Sequence, residues 1–253
     1  MKILAIANQK GGVAKTTTAL NLGAALAEQG RRVLLVDLDP QSSLTQSLGI
    51  MAEGRSMAEV LGDAEPGDLA ITDVIQNIAP GLDLAPSDVT LSRAELGLVS
   101  RWGREAVLKN ALGSLAGYDV ILIDCPPSLA LLTVNALVAA DGVLCPTQPA
   151  AADLRGLSLF MGTLEKVQNQ LNPGLQLLGV LVTRLDNRLT AHKQAIETMQ
   201  NAGLPMLPVS IPNTVKVQEA AATKQSVLNY DPSNPAAAAY REVASEVQKW
   251  LKS

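Results

Sequence analysis

The chain has 253 residues, 47% of them hydrophobic but only 2% aromatic, and carries a formal net charge of -4. That length supplies one sizeable core and is read as a single α/β domain over 1–253, while the scarcity of rings makes the core aliphatic and argues against a base-stacking surface for single-stranded nucleic acid. The acidic balance opposes global attraction to nucleic acid, although a local basic patch stays open.

The first strand is read over Lys2–Ala7, an apolar run that breaks into Lys10-Gly11-Gly12-Val13-Ala14-Lys15-Thr16-Thr17 and resumes as a helix over Thr17–Glu28. A strand, a glycine turn and a helix in that order aim unpaired backbone N–H groups and a positive helix end at one spot, which suits a polyphosphate. Lys15 would supply charge to the β- and γ-phosphates, and the Thr16 hydroxyl would stand where such loops hold Mg²⁺. The plainer reading is a glycine-rich turn with two solvated lysines. The usual pattern of Gly, four residues and Gly-Lys-Ser/Thr fails twice, because Gln9 and Ala14 occupy its glycine positions.

A second strand, Arg32–Val36, runs into Asp37-Leu38-Asp39-Pro40-Gln41. Two acids spaced i, i+2 point the same way if strand geometry persists. They would serve Mg²⁺ and its waters, with one acid positioning an attacking water; alternatively the stretch is an acidic loop capping the next helix. Asp63-Ala64-Glu65-Pro66-Gly67-Asp68 reads as a solvated surface loop, followed by a strand at Leu82–Ala85. Asp119 reads as a turn residue before the all-apolar strand Val120–Ile123, which ends at Asp124. Burying a carboxylate there is costly unless a cation or donors meet it.

The apolar run Leu129–Ala140, interrupted by Thr133 and Asn135, is too short to span a membrane. Further strands are expected at Gly142–Cys145, Leu177–Val182 and Met206–Val209, with helices over Leu154–Leu171, Ala191–Asn201 and Ala236–Leu251. The alternation predicts an α/β fold, a mostly parallel twisted sheet with helices on both faces and functional residues at its carboxyl edge. Cys125 and Cys145, with no CxxC spacing, read as small buried residues, and His192 as a surface residue without a chemical role. Between Thr183 and Lys224, the basic residues Arg184, Arg188, Lys193, Lys216 and Lys224 outnumber the acids five to three. Charge counting leaves ordinary solvated surface charge as an alternative there. Near the end, Tyr240, Val243, Val247, Trp250 and Leu251 form an apolar stripe flanked by charges of both signs. That mixture suits a helix packed on its own domain better than one lying on anionic lipid.

The loop Lys-Gly-Gly-x-x-Lys-Thr at 10–16 resembles the deviant phosphate loop of the ParA/MinD family of ATPases. Asp37–Gln41 resembles that family's Asp-x-Asp-Pro-Gln motif, and Tyr118–Pro127 resembles its Walker B strand, with Asp124-Cys125-Pro126-Pro127 similar to the chromosome-partitioning branch. The likeness continues through Cys145–Pro149, Gly179–Asp186, Ile211–Lys216 and Tyr230–Pro232.

The resemblance implies a deviant-Walker P-loop NTPase fold acting on ATP and Mg²⁺, with Lys10, Lys15 and Asp39 catalytic. ATP would be held by Lys10, Gly11, Gly12, Val13, Ala14, Lys15, Thr16 and Thr17, with Pro212 and Asn213 near the adenine, and Mg²⁺ by Thr16, Asp37 and Asp124. Lys10 would reach the partner's nucleotide across a homodimer. Ala14 stands where most members have glycine, so its φ is expected to suit a residue with a Cβ. The closed dimer would hold double-stranded DNA nonspecifically through Arg184, Arg188, Lys193 and Lys216, in a cytoplasmic, nucleoid-associated setting. A ParB-like adaptor for chromosome or plasmid partitioning, or an McdB-like one for carboxysome-type organelles, would trigger hydrolysis and release. A MinD-like membrane-associated positioning ATPase and a metabolic or carrier P-loop ATPase without DNA binding are the alternatives, and no stable membrane insertion is expected of this chain. The nitrogenase iron-protein branch would need cluster-binding cysteine segments that Cys125 and Cys145 do not resemble. No DNA-reading segment stands before the loop, an expectation against the autorepressing plasmid type.

Overall fold

The computed structural model describes residues 1–62 and 69–252, with backbone alone over 151–155; the 63–68 stretch, read as a surface loop, lies outside the described residues. Eight strands form one sheet: β1 (Lys2–Ile6), β2 (Val33–Asp37), β3 (Gln76–Ala79), β4 (Leu82–Ala85), β5 (Val120–Asp124), β6 (Gly142–Thr147), β7 (Gln176–Leu185) and β8 (Met206–Pro212). Their order is β3-β4-β2-β5-β1-β6-β7-β8, and every pairing is parallel except β3 with β4. The helices are α1 (Lys15–Glu28), α2 (Ser43–Ser47), α3 (Met57–Leu61), α4 (Ile71–Val74), α5 (Leu91–Leu98), α6 (Val107–Leu112), α7 (Leu131–Ala139), α8 (Ala151–Gln170), α9 (Thr190–Asn201), α10 (Val215–Ala222), α11 (Val227–Tyr230) and α12 (Pro235–Lys252).

Strand alternation explains the two cores. Leu4, Ile6, Val33, Leu35, Val120 and Leu122 enter the layer beneath α1, α11 and α12, whereas Ala5, Leu34, Val36, Ile121 and Ile123 enter the opposite layer under α3, α5, α6 and α7. Both faces of the central strands are therefore covered, which is why those strands read as uninterrupted aliphatic runs. Gly23 lets α1 lie close on the sheet, since a Cβ there would stand 2.7 Å from Leu35 Cδ2.

Helix α12 consumes the C-terminal apolar stripe. Tyr240, Val243 and Val247 are fully buried, and the Lys2 ammonium donates to the Trp250 carbonyl at 2.7 Å while lying 4.7 Å from the centre of its indole. Among the described residues, no helix is long and apolar enough to cross a membrane, and the run read at Leu129–Ala140 is the core helix α7. The central strand β1 has β5 on one side and β6 on the other, so the chain reverses its direction of sheet growth there. The loop that follows β1 therefore opens at the point where parallel sheets leave a crevice beyond their carboxyl ends.

Candidate nucleotide site

The loop is built on a short span of backbone that neighbouring strands brace. The Asn8 side chain donates to the Pro146 carbonyl at 2.8 Å and accepts from the Lys10 amide at 3.0 Å. Gln148 Nε2 donates to the Gly12 carbonyl at 2.7 Å, and Thr183 Oγ1 reaches the carbonyls of Val13 and Thr147, both at 3.1 Å. Asn8, Gln148 and Thr183 had no assigned role in the sequence, although Gln148 and Thr183 fall in segments that carry the family resemblance.

Gly12 has φ 78°, and Ala14 has φ 70° and ψ 34°. The expectation that Ala14 would adopt angles comfortable for a Cβ is thus corrected: the turn into α1 keeps the left-handed conformation that glycine usually supplies, and alanine bears its strain. Helix α1 begins at Lys15, two residues before the predicted Thr17, and has no acidic residue in its first turn to offset its positive end. Ala14→Gly is expected to leave the nucleotide-free chain as stable or up to about 1 kcal/mol more stable, glycine's greater chain entropy partly cancelling the relief. Urea unfolding checks this, and a loss above 1 kcal/mol would contradict the strain.

Lys15 is buried and its Nζ donates to the Lys10 carbonyl at 3.2 Å. Burial holds its pKa below the usual lysine value, opposed chiefly by Asp124. Asp124 ends β5, and both of its carboxylate oxygens are buried without a hydrogen-bond partner of sound geometry. Its pKa is raised well above normal by burial and then by the Asp37 charge, while the Thr16 hydroxyl and Lys15 pull it down. A cation in front of Thr16 would meet that need. Among the described residues no cluster of three or more His, Cys, Asp or Glu could cage a metal. The donor set instead suits Mg²⁺, which keeps several waters and binds substrate phosphates with only one or two protein ligands.

The two acids of the Asp-x-Asp stretch separate. Strand geometry stops at Asp37, and Asp39 lies in the loop beyond it. Asp37 Oδ2 accepts from the Thr45 amide at 2.9 Å and hydroxyl at 2.7 Å, and its Oδ1 accepts from the Asp39 amide at 3.2 Å. Its pKa rises to about 6 through burial, against those hydrogen bonds. Asp37, expected to share the metal's water shell, also anchors α2 and the Asp39 loop. Asp39 instead lines a hollow of about 410 Å³ together with Gly11, Gly12, Lys15 and Thr16.

A second hollow, about 110 Å³ and more enclosed, is lined by Ile211, Pro212, Asn213, Val217 and Tyr240. Ala14, Thr17 and Arg184 line both hollows, so the two form one continuous tract beside the start of α1. One end offers lysine and backbone N–H groups, and the other a smaller slot where Ile211, Pro212, Val217 and Tyr240 stand among polar neighbours such as Asn213, Thr214 and Gln218. That is the division a nucleotide presents between polyphosphate and base. The buried Cys125 and Cys145 stay close by as thiols whose pKa values burial pushes up.

Residues 1–177 match the family described as AAA domain. The chromosome partitioning protein ParA of Caulobacter vibrioides is 42% identical over 253 residues, covering 98% of this chain and 94% of its own. The chain belongs to the ParA/MinD family. Among solved structures, a protein named cobyrinic acid a,c-diamide synthase from Mycobacterium smegmatis, bound to an ATP analogue and magnesium, aligns with TM-score 0.88 and 42% identity over 100% of this chain and 96% of its own. Cyanothece McdA in an ATP complex aligns with TM-score 0.87 and 28% identity over 98% and 96% of the two chains. As a ParA/MinD member this chain is an ATP hydrolase that uses Mg²⁺.

The basic residues differ in their partners. Arg188, exposed after β7, grips Asp186 with two side-chain hydrogen bonds of 3.0 and 2.7 Å, and Lys216 pairs with Glu219 at 2.7 Å while lying 5.8 Å from the Tyr230 ring. Lys193 is exposed on α9. His192 is half-buried, and its Nδ1 accepts from the Asp186 amide at 3.1 Å, so it shapes the Arg188 turn where a plain surface residue was expected.

Proposed function

We propose that this ParA-type chain is a dimerising ATPase switch that holds double-stranded DNA nonspecifically in its ATP state and positions or segregates an intracellular cargo. The observation that carries the reading is Lys10: it opens the phosphate loop, yet it is not among the side chains lining its own subunit's phosphate hollow. A lysine so placed suits a nucleotide presented by a second copy.

Within each site Lys15 pairs with the β- and γ-phosphate oxygens, and the N–H groups at the start of α1 face the same charge. Thr16 would hold Mg²⁺ directly and Asp124 through its waters; when bound, the ion neutralises charge on the β- and γ-oxygens. Pro212 and Asn213 border the adenine. Asp39 orients the water that attacks the γ-phosphorus as the bond to the bridging oxygen breaks and ADP leaves. Lys10 adds charge from the partner as the transferred phosphoryl group loosens. Release then follows hydrolysis, stimulated by a ParB-like or McdB-like adaptor.

Arg188, Lys193 and Lys216 supply phosphate contacts, doubled in a dimer. Their surface ion pairs with acids are weak enough for DNA phosphates to displace. A MinD-like membrane role has less support, because the apolar stripe of α12 is buried in the core.

Retention on arbitrary duplex DNA and on anionic vesicles, with Mg-ATP or Mg-ADP across a salt series, tests the reading. DNA retention is expected with ATP only and should fall steeply with salt. Arg188→Glu and Lys216→Glu should each weaken it about tenfold or more and flatten the salt slope by about two in the dimer. Vesicle retention would move the assignment toward a MinD-like role, and retention on neither toward a metabolic ATPase.

A further inference from the structure

Arg184 is expected from its sequence among the DNA-contacting residues, and its backbone is unusual. It is the penultimate residue of β7 and has φ 52°, in the left-handed region that an arginine seldom occupies. The β7–β8 register shifts between Val182 and Leu185, the span that contains it. Irregularities of this kind re-aim a side chain and concentrate beside functional sites. The residue before it, Thr183, is fully buried, with its hydroxyl tied to the loop carbonyl of Val13 at 3.1 Å. The bend following Thr183 turns Arg184 over the start of α1.

Three observations say what it faces. Arg184, Ala14 and Thr17 are the residues common to the phosphate and base hollows. Its charge is felt at the Tyr240 phenol on the wall of the base hollow, where it lowers that group's pKa against the larger effect of burial. Arg188 and Lys216 each hold an acidic partner, whereas Arg184 has none among the described residues. An exposed guanidinium over the junction of a polyphosphate site and a base slot has its counter-charge supplied by the ligand.

We propose that Arg184 is a nucleotide-binding residue that spans the ribose and the adjacent α-phosphate, joining the base slot to the phosphate loop. The planar fork of arginine fits two phosphate oxygens, or one phosphate oxygen and a ribose oxygen, better than a lysine point charge does. The α-phosphate is present in both ATP and ADP, so the contact adds affinity without discriminating the two. It is uniform binding, which raises the ATP concentration needed for half-maximal turnover when lost but leaves kcat little changed. The inference rests on the loop being the nucleotide site.

Titration of ATP, ADP and adenosine into the full chain with Mg²⁺ tests it, using Arg184→Gln, Arg184→Lys and Lys15→Ala side by side. Arg184→Gln should weaken ATP and ADP alike by about tenfold or more, leave adenosine less affected and raise KM with kcat retained; Arg184→Lys should fall between. DNA retention at saturating ATP should match the unmutated chain. Should Arg184→Gln fail to fold, Arg184→Gly, which suits the left-handed backbone, carries the same comparison. Unchanged ADP and ATP affinity together with lowered DNA retention would return Arg184 to the DNA surface and overturn the proposal. If Lys15→Ala also left nucleotide affinity unchanged, the loop assignment itself would fail, a result separate from failure of Arg184 alone.

Discussion

Lys15→Ala is expected to lower ATP affinity at least a hundredfold and to abolish measurable turnover, without lowering the stability of the nucleotide-free chain. The ammonium is buried, its pKa is depressed by that burial, and it donates to the Lys10 carbonyl at 3.2 Å. A buried cation only partly compensated by the Asp124 charge is costly in the empty chain and gains most when a phosphate arrives. Removing it leaves the loop N–H groups and the unopposed start of α1, which attract phosphate more weakly than a contact charge does. Loss of one preorganised charge-stabilising group is typically worth about 3–4 kcal/mol in a dry site, which is a hundredfold or more in rate. Calorimetric titration with Mg-ATP gives the affinity, and urea unfolding gives the stability. A variant that binds ATP normally would remove the loop from the function, and one that merely unfolds would make Lys15 a structural residue.

Much of this arrangement was legible in the sequence because its signals are local. β1, β2, β4 and β5 are short aliphatic runs whose residues alternate between two covered faces, and Leu82–Ala85 was placed at its observed bounds. The phosphate loop and Asp124 follow from what must happen at the ends of such strands. β3 escaped because Gln76–Ala79 is a polar, partly exposed edge strand paired antiparallel with a register shift, so neither a continuous run nor clean alternation marks it. The short helices α2 to α4 escaped for a similar reason: four or five residues are too few to display a helical period. At the site, spacing alone could not show that Thr45, entering from α2, donates twice to Asp37 while Asp39 lines the hollow. Charge is visible in a sequence, but the left-handed backbone at Arg184, beside both hollows, is set by β7 and its pairing.

Asp39→Ala is expected to cut ATP hydrolysis about a hundredfold or more while ATP affinity stays within a few fold, so that the ATP-bound dimer accumulates. The side chain is well placed to be removed cleanly. Its Oδ1 accepts from the Gln41 amide at 2.9 Å, a local turn bond worth about 1 kcal/mol or less, whereas the loop's tie to Ser87 uses the Asp39 backbone carbonyl at 2.8 Å. The loop should therefore keep its shape while the hollow loses its carboxylate. An acid that orients water acts in the transition state and contributes little to holding ATP, which is why turnover and affinity should separate. Asp37→Ala should behave differently: it strips the anchor from the Thr45 amide and hydroxyl, so its main effect should be on stability. Adding Lys10→Ala to Asp39→Ala gives the sharper test. If Lys10 acts across the interface, the double variant should bind ATP yet elute as a monomer, where Asp39→Ala alone elutes as a dimer. Unchanged turnover in Asp39→Ala would take that residue out of the mechanism, and a persistent dimer in the double variant would confine Lys10 to its own subunit.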